Sequence, residues 1–124
     1  QDVVERLEKA SLLADLQAGD LDTLGRLYGL DASQVEDFAL YTAPSNIRAE
    51  EILVLKLKDV QDMDEVRAKI QERIAKRADS FRDYLPEQYA LIENHCLMTA
   101  GNYVFLAIVE DVAAAEEAFR NAGR

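Results

Sequence analysis

The spacing of apolar residues predicts one long amphipathic helix near the middle of the chain. Within residues 62–85, apolar side chains that follow closely are three or four positions apart, the period of a helix with one buried face. The stripe consists of Met63, Val66, Ile70, Ile74, Phe81, Tyr84 and Leu85. Asp62 followed by Glu65 matches a capping box, and Pro86 stops the pattern. We expect this helix to organise the core.

Runs of strand-forming residues predict four strands, two on each side of the long helix. They are residues 35–43, 49–58, 94–100 and 103–109. The turn cluster Pro44-Ser45-Asn46 separates the first two. Gly101-Asn102 separates the last two and fits a two-residue hairpin in which Gly101 takes a positive φ. The pattern therefore indicates two β-hairpins.

Further helices are predicted at both ends of the chain and after the long helix. Residues 2–16 form a helix that Gly19 breaks, and Asp20 caps a second one that Gly29 ends as its C′ residue. Pro86 begins a short helix that continues through residues 88–93. Asp111 caps the last helix, over residues 112–122, which Gly123 closes. The first two helices are expected to form a hairpin.

The order α-α-β-β-α-β-β-α predicts a single α+β domain over residues 1–124. Residues 1–30 form an N-terminal helical segment, and residues 35–122 form the core. We expect a four-stranded, mainly antiparallel sheet with helix 62–85 packed on one face and the N-terminal helices at an edge or over the other. The order of the strands in space stays open. The long helix, at about 35 Å, exceeds a seven-residue strand of about 24 Å, so it must overhang, bend or end before Tyr84.

Charge argues against two classes of partner. The 124 residues carry a formal net charge of -10, which disfavours binding to nucleic acid and to anionic membrane surfaces. Residues 62–85 hold six acids and six bases, so the long helix is a neutral, arginine-rich element in an acidic body. No apolar run approaches the length of a membrane span, and a single cysteine excludes an intramolecular disulfide.

Residues with the usual chemistry of catalysis are few. His95 and Cys96, the only histidine and cysteine, are neighbours whose side chains point to opposite faces of a strand, and together they cannot supply a zinc site. Adjacent carboxylates are interpreted as solvated surface. They are Glu36-Asp37, Glu50-Glu51, Glu110-Asp111 and Glu116-Glu117. With no phosphate loop or nucleophile elbow either, we expect no catalytic residue, metal or cofactor.

The candidate site consists of Arg73, Arg77, Tyr84 and Tyr89. The two arginines are four residues apart and share a helix face beside the apolar stripe. Their stems could extend the core while their heads pair with Glu or Asp, or they could receive a carboxylate or phosphate as a guanidinium pair. Tyr84 and Tyr89, on either side of Pro86, could line an aromatic pocket or pack at the edge of the core.

Three stretches of the chain carry a family resemblance. They are AEEILVLKLKD at 49–59, ERIAKRADSFRDYLPEQYALIEN at 72–94 and GNYVFLAIVED at 101–111, and they include Arg77, Phe81, Tyr84, Pro86, Glu87 and Gln88. From about Gly29 onward the chain resembles the domain-of-unknown-function family numbered forty-three fifty-eight, from clostridial Gram-positive bacteria. The resemblance implies a small lipoprotein with one such domain behind a lipid-attachment cysteine, with no assigned activity and no catalytic residues to carry over.

Three hypotheses about function follow. The first is a non-catalytic extracytoplasmic domain of a bacterial lipoprotein that binds a protein or envelope component. Because the chain begins with Gln1 rather than Met, we expect a removed N-terminal signal or anchor before it. The second is a small ligand-binding protein or enzyme with a pocket near Arg73, Arg77 and Tyr84. The third is a homodimer formed through the apolar second face of the sheet.

Overall fold

The computed structural model describes residues 2–45 and 47–122. Its helices are α1 Asp2–Lys9, α2 Leu21–Tyr28, α3 Met63–Phe81, α4 Pro86–Glu93 and α5 Val112–Asn121, with a 3-10 helix at Val60–Asp62. Its strands are β1 Gln17–Gly19, β2 Val35–Thr42, β3 Glu51–Leu57, β4 Cys96–Ala100 and β5 Tyr103–Ile108. The roles expected for Asn46 in a turn and Gly123 at a helix end fall outside the described residues.

The strands form one antiparallel sheet in the order β1-β2-β3-β5-β4. This confirms the α+β class and all four predicted strands, but the predicted number of strands is wrong because β1 adds a fifth at the edge. Gln17 pairs with Thr42 and Gly19 with Leu40. A Cβ atom at Gly19 would lie 3.0 Å from Leu40 Cδ2, so this glycine permits close strand packing rather than simply breaking a helix.

The N-terminal helix is shorter than predicted and does not form a hairpin with the next one. It ends at Lys9 rather than at residue 16, and the chain then passes through Ser11 and Asp15, which have φ values of 61° and 67°. Residues with an L side chain avoid such angles in a right-handed helix. The apolar residues at positions 12, 13 and 16 therefore pack against the core from a non-helical segment.

Helices cover both faces of the sheet. Leu53, Leu55 and Leu57 of β3 belong to a core shared with α2, α3 and α4, whereas Ile52 and Val54 belong to a core shared with α1 and α5. The first two helices thus lie on opposite faces, which corrects the predicted pair. The face suggested as a homodimer interface is covered by α1 and α5, and a homodimer through another surface stays a prediction.

The long helix ends at Phe81, four residues earlier than predicted. The backbone N–H of Leu85 donates to the Phe81 carbonyl at 3.0 Å, closing a turn before Pro86 starts α4. Of the three outcomes expected for the long helix, ending before Tyr84 is therefore correct. The predicted capping box is wrong, because the Asp62 side chain makes no capping hydrogen bond.

The caps expected elsewhere are present. Asp20 accepts from the backbone N–H of Thr23 at 2.9 Å, and Asp111 accepts from that of Ala114 at 3.0 Å. Gly29 ends α2 with φ of 70°, and Gly101 turns the second hairpin with φ of 59°. These local signals depend on few residues, which is why the sequence locates them well.

Candidate functional site

A carboxylate is buried at the start of the central strand. Glu51, the first residue of β3, is 1% exposed and lies two positions before Leu53, so it points toward α3. Arg73 donates to it twice, from Nη2 to Oε1 at 2.9 Å and from Nε to Oε2 at 3.3 Å. The Tyr28 hydroxyl also donates to Oε2. These three residues, the buried triad, join α2, β3 and α3.

The buried triad holds an ion pair next to a neutral phenol. Burial, followed by the negative charge of Glu51, raises the pKa of Tyr28 well above its ordinary value. Burial alone would lower the pKa of Arg73, but hydrogen bonding and attraction to Glu51 outweigh it and the pKa is raised. The phenol keeps its proton and both carboxylate oxygens accept hydrogen bonds. The arrangement therefore positions Arg73 and does not suit proton transfer.

Arg77, one turn further along α3, has no carboxylate partner among the described residues. Its Nη2 donates to the Arg48 carbonyl at 3.1 Å, and its guanidinium carbon lies 5.0 Å from the centroid of the Phe81 ring. Its Nε is buried without a hydrogen-bond partner among the described residues. Burial first, and the charge of Arg73 as a further cause, lower the pKa of Arg77. An unsatisfied buried donor costs about 1–3 kcal/mol, and water or a ligand is its usual partner.

These arginines line a cleft of about 350 Å³ between the start of α2, the loop after β2, the start of β3 and α3. Four of the nine arginines of the chain lie along it. We call it the arginine cleft, and its cationic residues are Arg26, Arg48, Arg73 and Arg77. Glu51 is the one carboxylate among its described lining residues. A concentration of positive charge is unexpected in a chain whose net charge is -10.

Only part of this positive charge is compensated. Arg48 pairs with Glu50, with Nη2 and Oε1 2.6 Å apart, and Arg73 pairs with Glu51. Arg26 and Arg77 form no ion pair with a described residue. The arginine cleft therefore has two guanidinium groups without a carboxylate partner, in a concave site of the volume that ligand pockets have.

A second, smaller cleft of about 220 Å³ adjoins the first and shares Arg26 and Arg73 with it. Its additional cations already have partners. Lys69 Nζ donates to the Gly29 carbonyl at 2.9 Å, and Lys76 lies 3.7 Å from Glu72 on the exposed face of α3. Unlike the arginine cleft, this second cleft has no buried donor without a partner among its described lining residues.

The four predicted site residues separate into two groups. Arg73 and Arg77 meet in the arginine cleft, whereas Tyr84 and Tyr89 do not line it. Tyr84 is 68% exposed in the turn before α4. Tyr89 donates its hydroxyl to Glu93 on the same helix, and the Arg82 guanidinium lies 5.8 Å from the centroid of its ring.

A comparison with protein families adds one finding. The family model described as Domain of unknown function (DUF4358) matches residues 8–109. The chain belongs to this family. No curated protein and no solved structure matches the DUF4358 domain described above. The family description states no activity.

Sequence reasoning missed four residues of the arginine cleft and the buried triad, namely Arg26, Tyr28, Arg48 and Glu51. The interpretation of Glu50-Glu51 as solvated surface is wrong for Glu51, which is buried. The signal was present, because Glu51 has the same strand parity as Leu53 and must face the same core. No comparable signal identified Arg48, whose place depends on the turn between β2 and β3.

Cys96 and His95 do not form a nucleophilic pair in this DUF4358 domain. Cys96 is buried in the core beside α1 and α5, and burial raises the pKa of its thiol to about 11. His95 Nδ1 lies 2.6 Å from the Ile92 carbonyl oxygen at the end of α4. The two side chains thus contact different parts of the molecule.

Among the helices of residues 2–45 and 47–122, none has both the length and the apolar character of a membrane-spanning segment.

Proposed function

We propose that this DUF4358 domain is a non-catalytic binding domain that holds an anionic ligand in the arginine cleft. The observation that carries the proposal is the state of Arg77. The side chain is half-buried, it pairs with no described carboxylate, and its buried Nε has no described hydrogen-bond partner. An anion would supply both the acceptor and the charge that this side chain lacks.

The buried triad gives such a site its rigidity. Arg73 donates twice to Glu51, which also accepts from Tyr28, and the Arg73 guanidinium carbon lies 5.7 Å from the centroid of the Tyr28 ring. The guanidinium is therefore fixed before a ligand arrives. Fixed donors lose little side-chain entropy on binding. The planar guanidinium also matches the oxygens of a carboxylate or phosphate. A preorganised Arg73 beside an unsatisfied Arg77 is therefore a favourable anion receptor.

The chemistry of the same groups supports binding over catalysis. The raised pKa of Tyr28 keeps its phenol protonated at neutral pH, so it is a poor base or nucleophile. Both carboxylate oxygens of Glu51 already accept hydrogen bonds from Arg73 and Tyr28. Cys96, the one thiol, lies in the core on the opposite face of the sheet. Recognition needs only the donors that the arginine cleft already presents.

Isothermal titration calorimetry with sodium sulfate at low ionic strength tests the proposal. We expect saturable binding at one site, weakened about ten- to hundredfold in Arg77→Gln, since a hydrogen bond to a charged group contributes about 1.5–3 kcal/mol. Arg67→Gln is the matched control, because Arg67 lies on the exposed part of the same helix. Absence of binding by the parent protein, or equal weakening by both variants, would refute the proposal.

We also propose that the domain acts outside the cytoplasm of a bacterium, as part of a membrane-anchored lipoprotein, and that its anion belongs to an envelope component or a protein. The support is the resemblance of residues 49–59, 72–94 and 101–111 to lipoprotein-like members of the family. The full-length coding sequence tests it. A signal peptide with a lipid-attachment cysteine upstream is the expected finding, and a coding sequence that lacks both would contradict it.

A further inference from the structure

The balance of charge in the arginine cleft points to the class of anion. Resting on the proposed function, we infer that the ligand is a phosphate monoester of a small organic molecule, bound through its doubly charged phosphate group. Two properties of the site carry this inference: the number of uncompensated cations and the space around them.

The number of uncompensated cations is two. Glu50 and Glu51 neutralise Arg48 and Arg73, and Arg26 and Arg77 remain without ion-pair partners among the described residues. Arg77 is half-buried and Arg26 is exposed at the rim of the cleft, and a monoanion would balance only one of them. A phosphate monoester carries close to two negative charges at neutral pH, so it balances both. Its oxygens also suit the forked donors of arginine.

The space exceeds what a phosphate alone fills. A volume of about 350 Å³ corresponds to roughly twelve water molecules at about 30 Å³ each, whereas a phosphate ion has five heavy atoms. The remaining wall carries the hydroxyl-bearing residues Thr23, Thr42 and Ser45, beside Leu27 and Pro44. A ligand with a small hydroxylated group attached to its phosphate would use this mixed wall.

The neighbouring smaller cleft has no buried donor without a partner among its described lining residues. Lys69 donates to the Gly29 carbonyl, and Lys76 pairs with Glu72, whose carboxylate also belongs to its wall. The doubly charged group is therefore assigned to the arginine cleft, next to Arg77.

Calorimetric titrations with four probes test the inference: methyl phosphate, dimethyl phosphate, glycerol phosphate and sulfate. At pH 7.5 we expect methyl phosphate to bind at least tenfold more tightly than the singly charged dimethyl phosphate, and glycerol phosphate to bind more tightly than methyl phosphate. At pH 5.0 the monoester is largely singly charged, because its second pKa is about 6. Its affinity should then fall about tenfold, while that of sulfate, which stays doubly charged, should not change.

The outcomes separate this inference from the proposed function. Equal binding of dimethyl and methyl phosphate would overturn the doubly charged ligand while leaving an anion site in place. Glycerol phosphate that binds no better than methyl phosphate would overturn the hydroxylated organic group. Loss of sulfate binding at pH 5.0 would show that the protein titrates and would overturn the pH argument. Absence of binding by all four probes would refute the proposed function itself.

Discussion

Both faces of the sheet are covered by helices, but the side chains buried on the two faces differ in kind. The face toward α1 and α5 is closed by apolar side chains, with the rings of Phe105 and Phe119 stacked at 5.0 Å. The face toward α2, α3 and α4 has a similar apolar centre, but one end holds Glu51, the one buried charged residue among the described residues. We call them the apolar face and the charged face. Hydrophobic burial alone closes the apolar face, and a buried ion pair is often no more stabilising than apolar side chains of the same volume.

The largest expected effect comes from breaking the buried triad. Glu51→Met leaves the Arg73 charge and the Tyr28 hydroxyl without their partner, which should lower the free energy of unfolding by about 3–5 kcal/mol. Glu50→Met, which removes the partner of the more exposed Arg48, should lower it by less than about 1 kcal/mol. Urea unfolding of both variants measures the contrast. Equal losses would show that the charged face is no more sensitive than the surface.

Replacing all three members of the triad should recover most of that loss. Tyr28→Phe, Glu51→Met and Arg73→Met together fill the same volume with apolar groups, and such replacements are often neutral or stabilising. We expect the triple variant to unfold within about 1 kcal/mol of the parent protein and to bind sulfate no better than Arg77→Gln. A stable triple variant that binds sulfate as tightly as the parent protein would contradict the claim that the triad positions Arg73 for the ligand.

The pH dependence of stability should distinguish Tyr28 from exposed tyrosines. The folded state raises the pKa of Tyr28 above the ordinary value of about 10. Its contribution to stability is complete below pH 10 and decreases as pH rises further, by at most about 1.4 kcal/mol per pH unit, because the unfolded phenol loses its proton first. Tyr28→Phe should therefore show a shallower loss above pH 10 than the parent protein. Tyr84→Phe, changed at a 68% exposed position, should retain the parental slope.

The last prediction concerns the reactivity of Cys96, on the apolar face. With burial raising the thiol pKa to about 11, the thiolate fraction at pH 8 is roughly a hundredfold below that of an ordinary cysteine. Labelling by a disulfide reagent should be slower in the native protein than in denaturant by at least that factor. Native labelling at the denatured rate would show that the apolar face opens readily.

The sequence predicted those parts of the fold that depend on local patterns. The strands β2 to β5, the caps at Asp20 and Asp111 and the turn at Gly101 all follow from a few neighbouring residues. The three-residue strand β1 carries too short a pattern to detect, and its position depends on pairing with β2. The end of α1 depends on the left-handed residues Ser11 and Asp15, which no apolar period reveals.

The site was predictable in part for the same reason. Arg73 and Arg77 were identified because the helical period places them on one face. Their different partners were not, since Glu51 lies 22 positions from Arg73 in the chain and the Arg48 carbonyl belongs to a turn. Strand parity alone would have placed Glu51 in the core. Whether an arginine of α3 has a carboxylate partner depends on contacts with distant parts of the chain, which the helical period does not reveal.

The central claim is that Arg77 on the charged face binds an anion through its guanidinium group. A titration followed by nuclear magnetic resonance observes this group directly, through the Nε–Hε signals of the arginine side chains. With sulfate at low ionic strength, we expect the Arg77 and Arg73 signals to shift saturably while that of the exposed Arg67 stays unchanged. Unsaturable shifts of similar size at all three arginines, or no shift at Arg77, would contradict the claim.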